Sequence, residues 1–246
     1  LIPMEGVNSI ATAVMVAVGS RYETKVNNGI SHFLEHMVFK GTKKYPTTDD
    51  VNSIERAGGL QNAYTDIDIT SYHNKVLASD WELALEVNKE LALHPRLEQK
   101  HIDKERDVIL EEMKRYEDEP EAKVDETFHQ MMYPGTKLGM RIIGEEKSLQ
   151  VLQGVTLQGY HDAWYKPNRL VVVVAGRITN NELRMKNKTE EWFGDLKGES
   201  MGGIEKVLDK QEKPQLAVVT KPDAQQAHLM LGLRAFGRGS EDRFAW

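Results

Sequence analysis

Two histidines and a glutamate, set in the run Ile30-Ser31-His32-Phe33-Leu34-Glu35-His36-Met37-Val38-Phe39, carry most of the chemistry open to this chain. The core reads H-x-x-E-H, the inverted order of a metallopeptidase helix motif. On an α-helix, side chains four residues apart stand one above the other, so His32 and His36 can aim two imidazole nitrogens at one cation. Glu35 lies about 100° round the axis from His36 and one turn from His32. A carboxylate there can take a proton from a water at the cation without being a ligand itself. An ordinary buried helix carrying two half-exposed histidines is the competing reading. A catalytic zinc needs three protein ligands and one open position, so the metal reading requires a third ligand from elsewhere.

That ligand can be sought on physical grounds. Residues 101–116 read H-I-D-K-E-R-D-V-I-L-E-E-M-K-R-Y, strong in helix formers and rich in carboxylates. Ile102, Ile109, Met113 and Tyr116 recur at helical spacing and define an apolar stripe, and Glu105 and Glu112 fall inside it. A carboxylate on a buried helix face is costly unless a cation or a hydrogen-bond network receives it. The two glutamates are about two turns, or roughly 10 Å, apart along the axis, too far for both to touch one ion. One is expected to ligate and the other to hold a ligand or a water. Glu111, Glu117 and Asp118 read as a solvated face.

Together these pieces resemble the N-terminal half of a pitrilysin-type (insulinase family) zinc metallopeptidase, closest to bacterial processing-protease and mitochondrial processing peptidase beta-like members. The matching stretches are Gly19-Ser20-Arg21-Tyr22-Glu23, residues 29–42 around the histidines, Gly58-Gly59-Leu60-Gln61-Asn62-Ala63-Tyr64-Thr65, residues 105–112, Ile143-Gly144 and Tyr165-Lys166-Pro167-Asn168. The resemblance implies an α+β fold, a mixed, mainly antiparallel sheet flanked by helices. It implies Zn2+ held by His32, His36 and Glu112, the last lying 76 positions past His36 where the family has its third ligand. Glu35 then activates the water and Glu105 stands in the place of the family's additional carboxylate. The start of a strand near Asn62 and Ala63 is implied to be a sheet edge beside the metal, where a substrate backbone adds as an extra strand.

Composition narrows the remaining classes. A chain of 246 residues, 40% hydrophobic and 28% charged, is expected to be soluble and globular, with room for one large domain or two small ones. Its longest apolar run, 10–18, is strand-sized, so no membrane span is expected. The absence of cysteine excludes disulfides, thiolate metal sites and cysteine nucleophiles. It fits a cytoplasmic setting, with the mitochondrial matrix or export as alternatives. A net charge of −6 with scattered basic residues argues against nucleic acid as a partner.

The elements that must position the site follow from periodicity and punctuation. Residues 9–18 read as a buried strand, and Asn27-Asn28-Gly29 as the turn before the metal helix. A Thr cap with Asp49 and Asp50 opens a helix that Gly58 and Gly59 end. Residues 62–77 read as one long strand paired with the first. Helices are expected over 80–93, around Glu105 and Glu112 up to Pro120, over 121–132 with Phe128, Met131 and Met132 in the core, and from a Thr156 cap to Trp164. Residues 169–176 read as a central strand apolar on both faces, followed by a helix from a Thr179 cap to Phe193. The expected organisation is a catalytic zinc-binding domain over 1–194, a linker over 195–214, and the truncated start of a second, homologous domain over 215–246, with strands at 215–220 and 227–233.

The expected activity is a zinc-dependent endopeptidase acting on unfolded peptides or presequences. Glu111, Glu117, Asp118, Glu119 and Glu121 would favour basic ones. A C-terminal homologous half or a partner subunit, or a dimer, would complete it. The alternative is a non-catalytic structural or presenting subunit of the same fold, although such relatives generally lack intact metal motifs.

Overall fold

Strict alternation in one apolar run sets the centre of the sheet. A computed structural model of the chain describes residues 1–246 except 179, 201, 203–210, 223, 236, 238 and 246. Strand β1 (Ile2–Pro3) precedes β2 (Ser9–Val16), whose period of two buries Ile10, Thr12, Val14 and Val16. Helix α1 (Ile30–Val38) carries the histidine motif and starts at Gly29, whose φ of 91° lies in the left-handed region that glycine tolerates. Thr47 caps α2 (Thr48–Val51) and Asp50 reciprocates, but the expected single helix breaks at Asn52 before α3 (Ser53–Arg56).

The expected strand over 62–77 is instead a hairpin, β3 (Leu60–Thr65) and β4 (Thr70–Leu77). Asp66 donates its N–H to Ile69 O at 2.8 Å and accepts the Ile67 N–H on Oδ1 at 2.7 Å, the turn chemistry of an aspartate. Apolar alternation continues through Ile67 and Ile69, which hides the break from a periodicity argument.

Helices α4 (Trp81–Leu93), α5 (Gln99–Asp118) and α6 (Pro120–Met132) follow, α6 with proline at its first position. No residue of α6 is fully buried, so Phe128, Met131 and Met132 are only half-covered. Helix α7 (Glu146–Val151) leads to α8 (Gly154–Trp164), which starts at a Gln153 cap and not at Thr156. Strand β5 (Leu170–Gly176) leaves Val171 55% exposed, so it is not covered on both faces. Helix α9 (Glu182–Phe193) is capped at Asn181; the expected cap, Thr179, lies outside the described residues. Among the described residues of 215–220 and 227–233 no strand forms.

The sheet order is β1-β5-β2-β4-β3, with β1 parallel to β5 and every other pairing antiparallel. This is the mixed, mainly antiparallel α+β arrangement the resemblance implied. β3 is its edge. Helix α1 packs against α5, α8 and β3, and Phe33, Leu34 and Met37 join Ile102, Ile109 and Met113 in the main core. No helix among the described residues is long and apolar enough to cross a membrane.

Candidate metal centre

The apolar stripe of α1 (Ile30, Phe33, Leu34, Met37 and Val38) is buried, which leaves His32, Glu35 and His36 at its margin. Helix α5 buries Ile102, Glu105, Ile109 and Met113 as one stripe, with Glu112 partly covered beside it. Packing the two stripes together therefore brings both glutamates up to the histidines. Glu112 Oε2 lies 3.9 Å from His32 Nε2 and 3.3 Å from His36 Nε2. Glu105 Oε1 sits 3.0 Å from His36 Nδ1, and its other oxygen is 2.6 Å from Lys40 Nζ. The Tyr116 hydroxyl donates to Glu112 Oε1 at 3.1 Å.

These side chains fit a divalent cation. One nitrogen from each histidine and one Glu112 oxygen all lie within 4.8 Å of one another, the one such grouping among the described residues. Two ligands held about 2.1 Å from a tetrahedral centre stand about 3.4 Å apart, close to the two separations observed. Glu112 Oε2 and His32 Nδ1 are buried without a hydrogen-bond partner. With Tyr116 on Oε1, the other oxygen of Glu112 faces both imidazoles and pairs with His36 at 3.3 Å, so a cation bound there would take the place of the proton these groups share.

The charges are organised to the same end. Burial, reinforced by repulsion from His36, lowers His32 to about 4, so its imidazole is neutral at physiological pH. Burial also acts to lower His36, but its contacts with Glu105 and Glu112 outweigh that and raise it to about 9. Contact with His36 overcomes burial and holds Glu112 down at about 2. Burial opposes ionisation of Glu105, yet its bonds to His36 and Lys40 keep it below the usual carboxylate range. Burial lifts Glu35 above that range, partly countered by the Thr65 hydroxyl, which donates to Glu35 Oε2 at 2.5 Å.

Asn62 and Ala63 lie on the edge strand, and the Asn62 side chain accepts the Ala63 N–H at 2.9 Å. The residue of β3 that reaches the histidine helix by a hydrogen bond is Thr65, not either of these. A cleft of about 440 Å³ opens beside His32, lined also by Thr65, Asp66, Tyr116, Asp125 and Glu126. The acidic residues expected to flank the site, Glu111, Glu117, Asp118, Glu119 and Glu121, are exposed and do not line this cleft. A wider cavity of about 1090 Å³ adjoins it across Gln130, Met140 and Arg141 and extends to Lys25, Tyr133 and Arg234.

Four functional contacts escape sequence reasoning: Lys40 on Glu105, Tyr116 on Glu112, Thr65 on Glu35, and Glu23 beneath the helix start. Glu23 is fully buried and accepts hydrogen bonds from the Gly29 N–H at 2.7 Å, the Ser31 N–H at 2.9 Å and the Asn28 side chain at 2.9 Å. It thus caps α1 from outside the usual cap position. The sequence signal for it is its place in the Gly-Ser-Arg-Tyr-Glu stretch that carries part of the resemblance.

Known proteins resemble this chain along most of its length. Residues 5–146 match the family described as insulinase (peptidase family M16), and 156–246 match the peptidase M16 inactive domain. The uncharacterized zinc protease YmxG of Bacillus subtilis is 37% identical over 237 residues, covering 96% of this chain and 56% of that protein. Mitochondrial-processing peptidase subunit beta of Rattus norvegicus is 36% identical over 178 residues, covering 72% of this chain and 36% of that one. The crystal structure of a protease from Helicobacter pylori superposes with a TM-score of 0.74 at 28% identity, over 82% of this chain and 49% of that chain. The chain spans about half the length of the curated relatives it matches. With more than half of its residues matched by the first of these families, and a histidine pair and a glutamate converging where a cation would sit, the chain belongs to the insulinase family of peptidases, peptidase family M16.

Proposed function

We propose that this chain is the metal-bearing half of a zinc-dependent endopeptidase. His32, His36 and Glu112 hold Zn2+, Glu35 is the general base, and Glu105 orients His36. The observation that carries this reading is the convergence of one nitrogen from each histidine and one Glu112 oxygen within 4.8 Å of one another. Bound zinc supplies Lewis-acid polarisation of the scissile carbonyl and lowers the pKa of a water from about 15.7 toward roughly 7. Glu35, whose affinity for a proton is raised by burial, accepts the water proton and passes it to the leaving amine. Glu105 accepts a hydrogen bond from His36 Nδ1–H and so fixes Nε2 as the nitrogen that would ligate once its proton has left.

Edge strand β3 offers main-chain groups to an extended peptide, with Asn62 and Ala63 on the receiving segment. Asp66, Asp125 and Glu126 in the cleft beside His32 favour basic peptides. Residues 1–194 form the catalytic domain, 195–214 a linker, and 215–246 the opening of a second half that completes the substrate chamber, in the same polypeptide or a partner subunit. The intact set of five site residues argues against a purely structural role.

The test uses the full-length protein. Metal content is measured with and without a chelator, alongside cleavage of a quenched basic peptide. Wild type is expected to carry one zinc per site and to cleave. Glu35→Gln should keep the zinc and lose at least about 10²-fold in turnover. Full activity in Glu35→Gln removes the mechanism, and absence of stoichiometric zinc in the wild type removes the site.

A further inference from the structure

We infer that Thr65 is a positioning residue for the base: its hydroxyl fixes Glu35 Oε2 and thereby leaves Oε1 to face the reacting water. The inference rests on the reading of Glu35 as general base. Thr65 is the last residue of β3, paired opposite Thr70 and half-buried. Its hydroxyl donates to Glu35 Oε2 at 2.5 Å, in the short range of a hydrogen bond to a carboxylate. Among the described residues, no other residue hydrogen-bonds Glu35; the Thr65 backbone N–H adds a weaker contact in the same sense. The two buried tyrosines that feel the Glu35 charge, Tyr72 and Tyr165, are bonded to each other at 2.8 Å.

A glutamate has three rotatable bonds, and without a fixed partner its carboxylate samples several orientations, each occupied for only part of the time. Proton transfer requires one of them, with the acceptor oxygen within hydrogen-bond reach of the water. The Thr65 hydroxyl selects that orientation by occupying the other oxygen. It also ties the base, on α1, to the strand on which the proposed reading places the substrate backbone. The element that binds the peptide is then the element that holds the base, and Thr65 itself lines the cleft shared with His32.

Thr65→Val keeps the branched shape and the backbone N–H and removes only the hydroxyl; Thr65→Ser restores it. Both are made in the full-length protein, alone and combined with Glu35→Gln, and cleavage of the quenched peptide and zinc content are measured. The expected result is a loss of at least about tenfold in kcat for Thr65→Val. KM should stay within about twofold and zinc content unchanged, with most of the loss recovered in Thr65→Ser. In the Glu35→Gln background Thr65→Val should cost nothing further, because the hydroxyl acts only through that carboxylate. Thr65→Ala serves as a second hydroxyl-free variant should the valine protein fail to fold. Wild-type kcat in the hydroxyl-free protein, a change confined to KM, or an equal loss in both backgrounds would each overturn the role of Thr65. If Glu35→Gln alone is fully active, the base assignment fails instead, and the two failures are distinguishable.

Discussion

His36 is gripped at both nitrogens by carboxylates, Glu105 on Nδ1 and Glu112 near Nε2. That grip decides how the site takes up metal. To ligate, Nε2 must give up its proton, and His36 is held at about 9, so metal binding below that pH releases a proton. The sign follows: apparent zinc affinity rises by about tenfold per pH unit from roughly pH 6 and levels off above about 9. His32, already neutral, contributes no further step in that range. Chelator-competition titrations across this range check it, and a flat profile would contradict it. Replacing Glu105 by Gln removes the anion that holds Nδ1–H and separates Lys40 from its partner. Zinc affinity should fall about 10- to 100-fold, and the levelling point should move to lower pH. The three proposed ligands could be picked out in the sequence because the histidines recur at helical spacing and because a carboxylate on an apolar stripe, at Glu105 and Glu112, is costly without a partner. Lys40 and Thr65 were not legible, since they act across contacts between distant elements, which no local period encodes. Tyr116 was read as part of an apolar stripe, and its ring does pack against the core, but its hydroxyl serves Glu112.

At the scale of the element, the position of α1 depends on what holds its first turn. Gly29 and Gly144 meet backbone to backbone: a Cβ on Gly29 would lie 2.7 Å from Ile143 O and 2.8 Å from Gly144 Cα, and both glycines have φ near 90°. Gly29→Ala or Gly144→Ala therefore combines left-handed strain of about 1–2 kcal/mol with overpacking of about 1–3 kcal/mol. Denaturant unfolding of either variant should show a loss of roughly 2–5 kcal/mol, accompanied by weaker zinc binding because the histidines move with the helix. Glu23 adds a pH dependence. Burial raises its carboxyl from the ordinary 4.5 to about 7, against the hydrogen bonds from Ser31, Gly29 and Asn28. A carboxyl whose folded-state pKa is raised costs nothing below about 4.5 and costs progressively more as pH rises to about 7, on the order of 3 kcal/mol at roughly 1.4 kcal/mol per pH unit. Glu23→Gln cannot ionise, so wild type should lose stability relative to this variant between pH 4.5 and 7; parallel unfolding curves at the two pH values would refute the linkage. The sequence marked Gly29 as a turn but could not show that a second glycine, far along the chain, would pack on it. Likewise alternation through Ile67 and Ile69 suggested one strand where Asp66 folds two.

The whole molecule bears an unpaired margin. Leu216, Leu229 and Leu231 are 86–90% exposed, with Val218, Val219 and Leu233 also open to solvent, on two runs that read as strands in the sequence yet find no strand partner among the described residues. Strand propensity is realised only when a neighbouring strand supplies the ladder and a covered face, so the pattern was legible while the partner was not. Apolar exposure of this kind marks a surface that another element can cover, and in the two-half reading proposed above the second half supplies that cover. The consequence is measurable by hydrogen exchange. In the full-length protein, amides of 215–220 and 227–233 should be protected to nearly the same degree as those of β2. In the 246-residue chain alone they should exchange at close to unprotected rates, and the chain should self-associate through these strand edges. Removing 215–246 from the chain alone should then restore a monomer without disturbing zinc uptake, because the three proposed ligands belong to α1 and α5, whose buried faces are filled from the first 165 residues. If the runs remain unprotected in the full-length protein, the second half does not fold onto them, and the closed chamber proposed for the peptidase loses its physical basis while the metal centre keeps its own.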